Sequence, residues 1–226
     1  MAQNFQLYDH LLRFQLFQGL SRSELLQLAG NTKFGFQKEA AGKVIVKEDT
    51  PCQQLFFLIS GNLTLSTTSA DGAYRLTEQL SAPWMLQPEV LFGAQPRYTG
   101  SCCTATACHF ITLSKDEVMR LLDDFLIIRL NLLNLFSTLA QKRARQPWRR
   151  APQSLRERFV RFVLDHSTYP AGPKELHILM TRLADELGDS RLDVSRMLNE
   201  LQAEGWLRLH LGRIEIPSLE KLLQGS

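Results

Sequence analysis

No stretch of this chain is apolar enough to cross a bilayer: the longest apolar-rich run, Phe125 to Leu139, is broken by Arg129, Asn131 and Asn134. The start, Met1-Ala2-Gln3-Asn4-Phe5, has neither the basic residues nor the apolar core of a signal peptide. Cysteine is sparse. Cys52, Cys102, Cys103 and Cys108 form no CxxC and no stapled-scaffold spacing, which points to a reducing, cytoplasmic setting without a membrane partner. With 13 Gly and 9 Pro the sequence is neither collagen-like nor low-complexity. It also lacks Gly-x-Ser-x-Gly, a Walker loop, His-Glu-x-x-His and any clustered acid pair, so the chain reads as a non-enzyme. Cys108 and His109 are adjacent on an expected strand, and neighbours there face opposite sides, so they cannot form a nucleophile–base pair in one pocket.

What is present is 226 residues with 44% hydrophobic content, enough for one or two domains with cores of their own. The net charge is only +3, but it is unevenly placed. Residues 1–140 carry 11 basic against 12 acidic side chains, and residues 141–226 carry 15 against 11. Lys142, Arg143, Arg145, Arg149, Arg150, Arg156, Arg158 and Arg161 face a single acid, Glu157. Such a run is either a solvated linker face or the footprint of a polyanion partner.

Three textures follow one another. Residues 4–30 read as short helices, with Phe5, Leu7, Leu11, Leu12 and Phe14 as apolar positions and a capping-box signal at Ser21 to Glu24. Residues 32–113 read as short strands: Val44–Val46, Leu55–Ile59, Leu63–Thr67, Tyr74–Leu80 and Thr104–Leu113, with hairpin chemistry at Ser60-Gly61-Asn62 and Ala70-Asp71-Gly72-Ala73. Many short strands at this spacing indicate a small sandwich or barrel. From Ser114 to Arg145 there is no Gly or Pro, so one long helix is expected. Phe125, Ile128, Leu132, Leu135 and Leu139 make a 3-4-3-4 seam suited to dimerisation, and Leu126, Leu130 and Leu133 make a second apolar line beside it. Pro147 and Pro152 end that helix and mark a domain boundary.

The most restrictive pattern lies at residues 180–201. With Met180 as the first position of a helix-turn-helix, the small residue of the close helix crossing is Ala184 and the turn glycine is Gly188. Leu183, Leu187, Val194, Met197 and Leu198 are the buried positions, and Ser190 with Asp193 caps the second helix. Leu209 to Ile216 then reads as two strands around Gly212, a wing. The second helix of such a module enters the major groove, so Ser190, Arg191, Leu192, Ser195 and Arg196, with Arg213 of the wing, are the expected DNA contacts. Arg191 and Arg196 suit the paired acceptors of guanine.

Lys43 to Asp49, Leu55 to Leu63 and Asp71-Gly72 resemble the β-roll signatures of the Crp/Fnr superfamily of bacterial transcription regulators. Leu183 to Gly188, Ser190-Arg191, Val194 to Arg196 and Glu204 to Leu207 resemble that family's winged-helix signature. The resemblance implies an α+β chain: an N-terminal β-roll (a double-stranded β-helix or jelly roll, residues 1–114), a long dimerisation helix (115–146) and a C-terminal winged helix-turn-helix (147–226). It further implies a homodimer on near-palindromic double-stranded DNA, with RNA polymerase as another partner. Relatives with Arg-Glu-Thr-Val-x-Arg read a cytosine through the Glu. Here that position holds Leu192, which can only touch a thymine methyl or face solvent.

The effector stays unknown at this level. Cyclic-nucleotide binders of the family carry Phe-Gly-Glu and then Arg-Ser/Thr-Ala; here Gly-Glu has become Gln87-Pro88, Glu89 is one residue off register, and Arg97 and Thr99 match. Glu89, Arg97, Tyr98 and Thr99, with Ser137 and Thr138 on the long helix, are the expected pocket. Pro88, Trp84 and Tyr98 imply a pocket smaller or more apolar than a nucleotide site, holding another ligand or none. Haem stays open, since one axial ligand among His10, His109, His166, His177 and His210 suffices. The alternatives are therefore a haem- or thiol-based gas or redox sensor, and a ligand-binding module that acts through protein partners.

Overall fold

In the computed structural model, which describes residues 2–224, Ser21 caps a helix as the sequence suggests. Its hydroxyl accepts from Glu24 N at 3.3 Å, and Glu24 Oε2 accepts from Ser21 N at 2.7 Å. Helix α1 (Ala2–Leu11) and a 3-10 turn (Gln15–Phe17) precede this helix, α2 (Arg22–Asn31). The side chain of Phe5 lies outside the described residues. Strands β1 (Gly35–Glu39), β2 (Val44–Val46), β3 (Gln54–Ser60), β4 (Asn62–Thr68), β5 (Tyr74–Ser81), β6 (Trp84–Leu86), β7 (Ser101–Thr104) and β8 (Cys108–Ser114) follow. Then come α3 (Lys115–Asp124), α4 (Leu126–Arg145), α5 (Leu155–His166), β9 (Lys174–Ile178), α6 (Met180–Leu187), α7 (Arg191–Ala203), β10 (Arg208–His210), β11 (Arg213–Ile216) and α8 (Leu219–Gln224). The mixed architecture matches the expected class, with a β-rich N-terminal part, a long helix and a C-terminal helix-turn-helix with its wing.

The chain divides into two units, of which the first comprises Met1–Asn62, Ser81–Thr99 and Thr104–Arg149. Its sheet runs in the order β1-β8-β3-β6, all antiparallel. Leu55 to Leu58 of β3 are consecutively buried because apolar groups cover both faces. Phe57 meets Phe14 edge-on at 5.1 Å, while Phe56 meets Phe110 edge-on at 6.0 Å.

Two expectations need correction in this unit. The strand expected over Thr104–Leu113 is two strands separated by a turn. Thr104 Oγ1 donates to Ala40 O at 2.6 Å, and Ala105 N donates to Asn62 O at 2.9 Å, so the chain folds back against the Gly61 hairpin instead of running straight. Gly61 is required there: its φ is +96°, and a Cβ would lie 2.4 Å from Ala107 O. The single long helix is also two. Phe125 is extended (φ −126°, ψ 103°) and buried, and Arg129 Nε donates to Leu122 O at 2.6 Å, capping the end of α3.

That break changes the reading of the helix seam. Asn131 Nδ2 donates to Leu16 O at 3.1 Å and to Gln18 O at 2.8 Å, fixing one face of α4 against the 3-10 turn. Phe125, Ile128 and Leu132, the first three residues of the expected dimer seam, are consequently buried within the chain itself. Leu135 and Leu139 are half-buried. The exposed line is the neighbouring one, with Leu126, Leu130 and Leu133 at 63%, 45% and 55% exposure.

The second unit comprises Leu63–Leu80, Gly100–Cys103 and Arg150–Ser226. Its strands run in the order β10-β11-β9-β5-β4-β7, so the hairpin β4-β5 and the wing belong to one sheet. Strand β5 pairs antiparallel with β9, placing Tyr74 opposite Ile178, Leu76 opposite Leu176 and Glu78 opposite Lys174. Phe159, Val163, Leu176, Leu183, Val194, Leu198, Ile216 and Leu219 are all fully buried in its core.

Within this unit an ion pair is removed from water. Lys174 Nζ lies 3.3 Å from Glu78 Oε1, with side-chain exposures of 0% and 2%. Burial pushes the Lys174 amine below its ordinary range, and the Glu78 carboxylate opposes that shift. The remaining capacity is used: Lys174 Nζ donates to Ala171 O at 2.7 Å, and Glu78 accepts from Thr168 N at 2.9 Å. Removing one partner leaves the other charge buried and unpaired. Glu78→Ala should therefore lower stability by about 3–5 kcal/mol in urea unfolding, whereas Glu78→Leu with Lys174→Met should recover most of that loss. Equal losses for the single and double variants would show that the pair is not what holds β9 on β5.

Candidate nucleic-acid interface

The turn between α6 and α7 sets the direction of the second helix. Gly188 sits in the left-handed region (φ 62°, ψ 43°), where its N–H closes α6 on Asp185 O at 3.2 Å. Ser190 Oγ accepts from Asp193 N at 3.1 Å and donates to Asp193 Oδ2 at 2.6 Å. Ala184, Leu183, Leu187, Val194, Met197 and Leu198 are buried, as the pattern from Met180 requires. Arg158 of α5 pairs with Asp189 in the turn, and Arg156 pairs with Glu204 at 2.9 Å beyond the end of α7. Two members of the basic run thus brace the module.

On the other side of α7, Arg191, Leu192 and Arg196 are exposed and Ser195 is half-buried. The structure brings these expected contacts onto the first two turns of one helix. Arg196 Nη1 lies 3.3 Å from Asp193 Oδ1, so the guanidinium is held by the residue that also bonds the cap. That second role of Asp193 escaped the sequence reading, although its i, i+3 spacing to Arg196 was visible. Asn199 Nδ2 donates to Ser195 O at 2.7 Å, turning back onto its own helix.

The wing is a hairpin of β10 and β11 in which His210 faces Arg213, with Gly212 (φ 67°) in its turn. Arg213 Nη1 lies 3.5 Å from Glu175 Oε2, and Arg208 Nη1 lies 3.1 Å from Glu215 Oε1. Arg182 of α6 lies 2.9 Å from Asp71 Oδ2 and 2.6 Å from Glu186 Oε1. Leu211 stands fully exposed at the wing tip.

Residues 84–99, the cassette where an effector pocket is expected, are organised as follows. Gln87 is buried in the left-handed region (φ 40°, ψ 54°) just before the 3-10 turn Pro88–Val90. Its Oε1 accepts from Thr99 N at 2.8 Å and Thr99 Oγ1 at 3.0 Å. Arg97 is exposed and its Nη1 donates to the carbonyl of Asp49. Tyr98 is buried, with its hydroxyl donating to Gln54 O at 3.3 Å, and burial holds the phenol pKa far above its ordinary value. Glu89 is half-buried, Ser137 and Thr138 are exposed, and Thr138 Oγ1 donates to Asn134 O of its own helix at 2.7 Å. The role of Gln87 went unread because its lone cue was the replacement of a glycine in a familiar pattern.

The thiols and imidazoles are placed as follows. Cys108 Sγ is buried and donates to Asn62 O at 3.2 Å, while His109 beside it is exposed. Cys102 is buried and Cys103 is half-buried. His166 uses both ring nitrogens, with Nδ1 2.7 Å from Phe162 O and Nε2 3.0 Å from the Tyr74 hydroxyl. His177 lies beside Glu175, and His210 lies 3.4 Å from Glu215. His10 is half-buried. Among the described residues no group of three or more His, Cys, Asp and Glu side chains is arranged to hold a metal ion, and no helix is long and apolar enough to cross a membrane.

Comparison with known proteins adds the family. The cyclic nucleotide-binding domain family matches residues 37–125, and the Crp-like helix-turn-helix domain family matches residues 157–224. The fold is similar to that of the Thermus thermophilus catabolite activator protein, with a TM-score of 0.51 and 22% identity over 94% of this chain and 99% of that one. It is similar also to the sensor domain of the transcriptional regulator DNR from Pseudomonas aeruginosa, with a TM-score of 0.55 and 20% identity over 64% of this chain and 95% of that one. No curated protein matches the chain in sequence. A β-roll of the cyclic-nucleotide-binding type followed by a Crp-like helix-turn-helix is the domain pair of one family, and the chain belongs to the Crp/Fnr superfamily of DNA-binding transcription regulators.

Proposed function

We propose that the chain acts as a cytoplasmic homodimer that binds a near-palindromic bacterial operator and influences RNA polymerase there. Its parts are a sensor β-roll (residues 1–114), a dimerisation segment (115–146) in which α4 carries the interface, and a DNA-binding domain (147–226). The observation that carries this reading is the capped helix α7, which presents Arg191, Leu192, Ser195 and Arg196 together on its exposed first turns. A helix so presented fits the major groove, and a two-fold dimer sets two such helices about 34 Å apart. The exposed leucines of α4 support the dimer: Leu126, Leu130 and Leu133 offer the partner an apolar stripe, with Leu135 and Leu139 continuing along the helix.

In this reading the β-roll does not take a cyclic nucleotide. Gln87 already holds the two donors of Thr99 that a phosphate oxygen needs, and Arg97 is turned to a backbone carbonyl. A nucleotide entering there breaks those bonds and leaves its ribose hydroxyl without the carboxylate that Pro88 replaces, each unmet group costing about 1–3 kcal/mol.

Selection of genomic fragments in the presence of a polyanion competitor tests the central reading: a discrete set of sites sharing inverted half-sites is expected. Arg196→Ala should lose about 1–3 kcal/mol on such a site and little on random DNA; equal losses on both would make Arg196 a phosphate contact. Leu130→Asp with Leu133→Asp should sediment as a folded monomer, and a dimer of that variant would remove the stripe from the interface. Calorimetry with cyclic AMP and cyclic GMP should show no micromolar binding. Micromolar binding by the wild type, lost in Arg97→Ala, would overturn the account of the cassette.

A further inference from the structure

We infer that Leu192 selects a thymine by its 5-methyl group, close to a guanine read by Arg196, and that Asp193 is the positioning residue for that arginine. This rests on the reading of α7 as the helix that meets base edges. Leu192 is 68% exposed on the first turn of α7, with Arg196 one turn further along the same face. Large apolar side chains on a helix surface gain nothing from water, and the thymine methyl is the apolar group of the major-groove base edges. Opposite cytosine, Leu192 covers an amino donor that it cannot satisfy, and opposite adenine it does the same. Leucine in this place therefore discriminates by contact with one base and by desolvation of the others.

The guanidinium beside it is steered before DNA arrives. Asp193 Oδ2 accepts from the Ser190 hydroxyl at 2.6 Å, while Asp193 Oδ1 lies 3.3 Å from Arg196 Nη1. The carboxylate is thereby tied to the backbone through the cap and restrains the long arginine side chain, which otherwise loses rotamer freedom on binding. A carboxylate in this place also repels backbone phosphates, so Asp193 favours a bidentate base contact for Arg196 over a looser phosphate contact. An i, i+4 pair is separated by about 6 Å along a helix, roughly two base-pair steps of 3.4 Å. The half-site should accordingly hold thymine and guanine within about two base pairs of each other.

The test uses the full-length protein and duplexes selected from a randomised half-site library. Each thymine of the selected half-site is then replaced by deoxyuridine, which removes the methyl and nothing else. At one position the wild type should lose about fourfold in affinity per half-site, the worth of one buried methyl, while Leu192→Ala binds the two duplexes equally. Leu192→Glu should shift the selected base at that position to cytosine, whose amino group a carboxylate accepts. Asp193→Asn retains an acceptor for the cap and removes the charge; it should lower affinity for the selected site relative to random DNA. A wild type indifferent to uracil throughout, or an equal loss in wild type and Leu192→Ala, would overturn the assignment of Leu192. An unchanged specificity ratio in Asp193→Asn would overturn that of Asp193. A protein that selects no sequence at all removes both this inference and the DNA-reading function beneath it, whereas a selected site insensitive to uracil removes this inference alone.

Discussion

A buried ammonium cannot stay charged without a partner, and in this chain that constraint holds two strands in one register together with their apolar faces. Lys174 is at the start of β9 and Glu78 is opposite it on β5, both removed from solvent. Sliding β9 by one residue would turn Lys174 to the other face and leave Glu78 uncompensated. From that register follow the positions of Leu176 and Ile178 in the core, the pairing of β9 with β11, and the place of the wing. The turn at Gly188 and the helix α7 then close over the same apolar core. The ion pair and the alternating buried residues Leu176 and Ile178 thus specify the same register.

The same logic governs the arginines. A basic C-terminal half reads at first as a broad polyanion surface, but several of its cations are held by the fold itself. Arg156, Arg158, Arg182, Arg208 and Arg213 each have a carboxylate partner. Those pairs are partly exposed, so they add little stability individually; their effect is to orient the turn, the wing and the ends of the helices. Arg191 and Arg196 differ in their placement on the exposed first turns of α7, where Arg196 is steered by an acid that is itself anchored. Basic charge in the sequence is thus a pool, and local pairing determines which members brace the protein and which face outward.

In the β-roll, hydrogen-bond saturation plays the corresponding part. The cassette donors of Thr99 are already satisfied by Gln87, and the hydroxyl of Tyr98 is satisfied by Gln54 O. A polar site whose donors are internally matched gains little from a phosphate, because binding only exchanges one set of hydrogen bonds for another. At Gln87-Pro88, where the resemblance leads one to expect Gly-Glu, the chain places no carboxylate and adds an amide that takes up both donors of Thr99.

The order of textures, the strands Val44–Val46 and Tyr74–Leu80, the two hairpin turns and the helix-turn-helix from Met180 were all legible in the residues. The reason is that they depend on local rules: alternation, caps, and glycine where the backbone must turn left. The exposed face of α7 was legible for the same reason, since helical periodicity separates Arg191, Leu192 and Arg196 from the buried Val194, Met197 and Leu198. The break at Phe125, the turn after Thr104 and the choice of apolar stripe on α4 were not. No glycine or proline marks Phe125; the helix stops there because the side chain is buried and Arg129 caps the carbonyls before it. Which of two leucine lines remains exposed depends on where Asn131 finds the carbonyls of Leu16 and Gln18, more than a hundred residues away in the chain. Sequence by itself determined the order of textures, most strands and turns, and the helix-turn-helix with its exposed face, because each rests on interactions within a few residues. Tertiary structure alone decided which charges are paired, which apolar face is free and whether the cassette donors are open, because those depend on partners brought together only by folding.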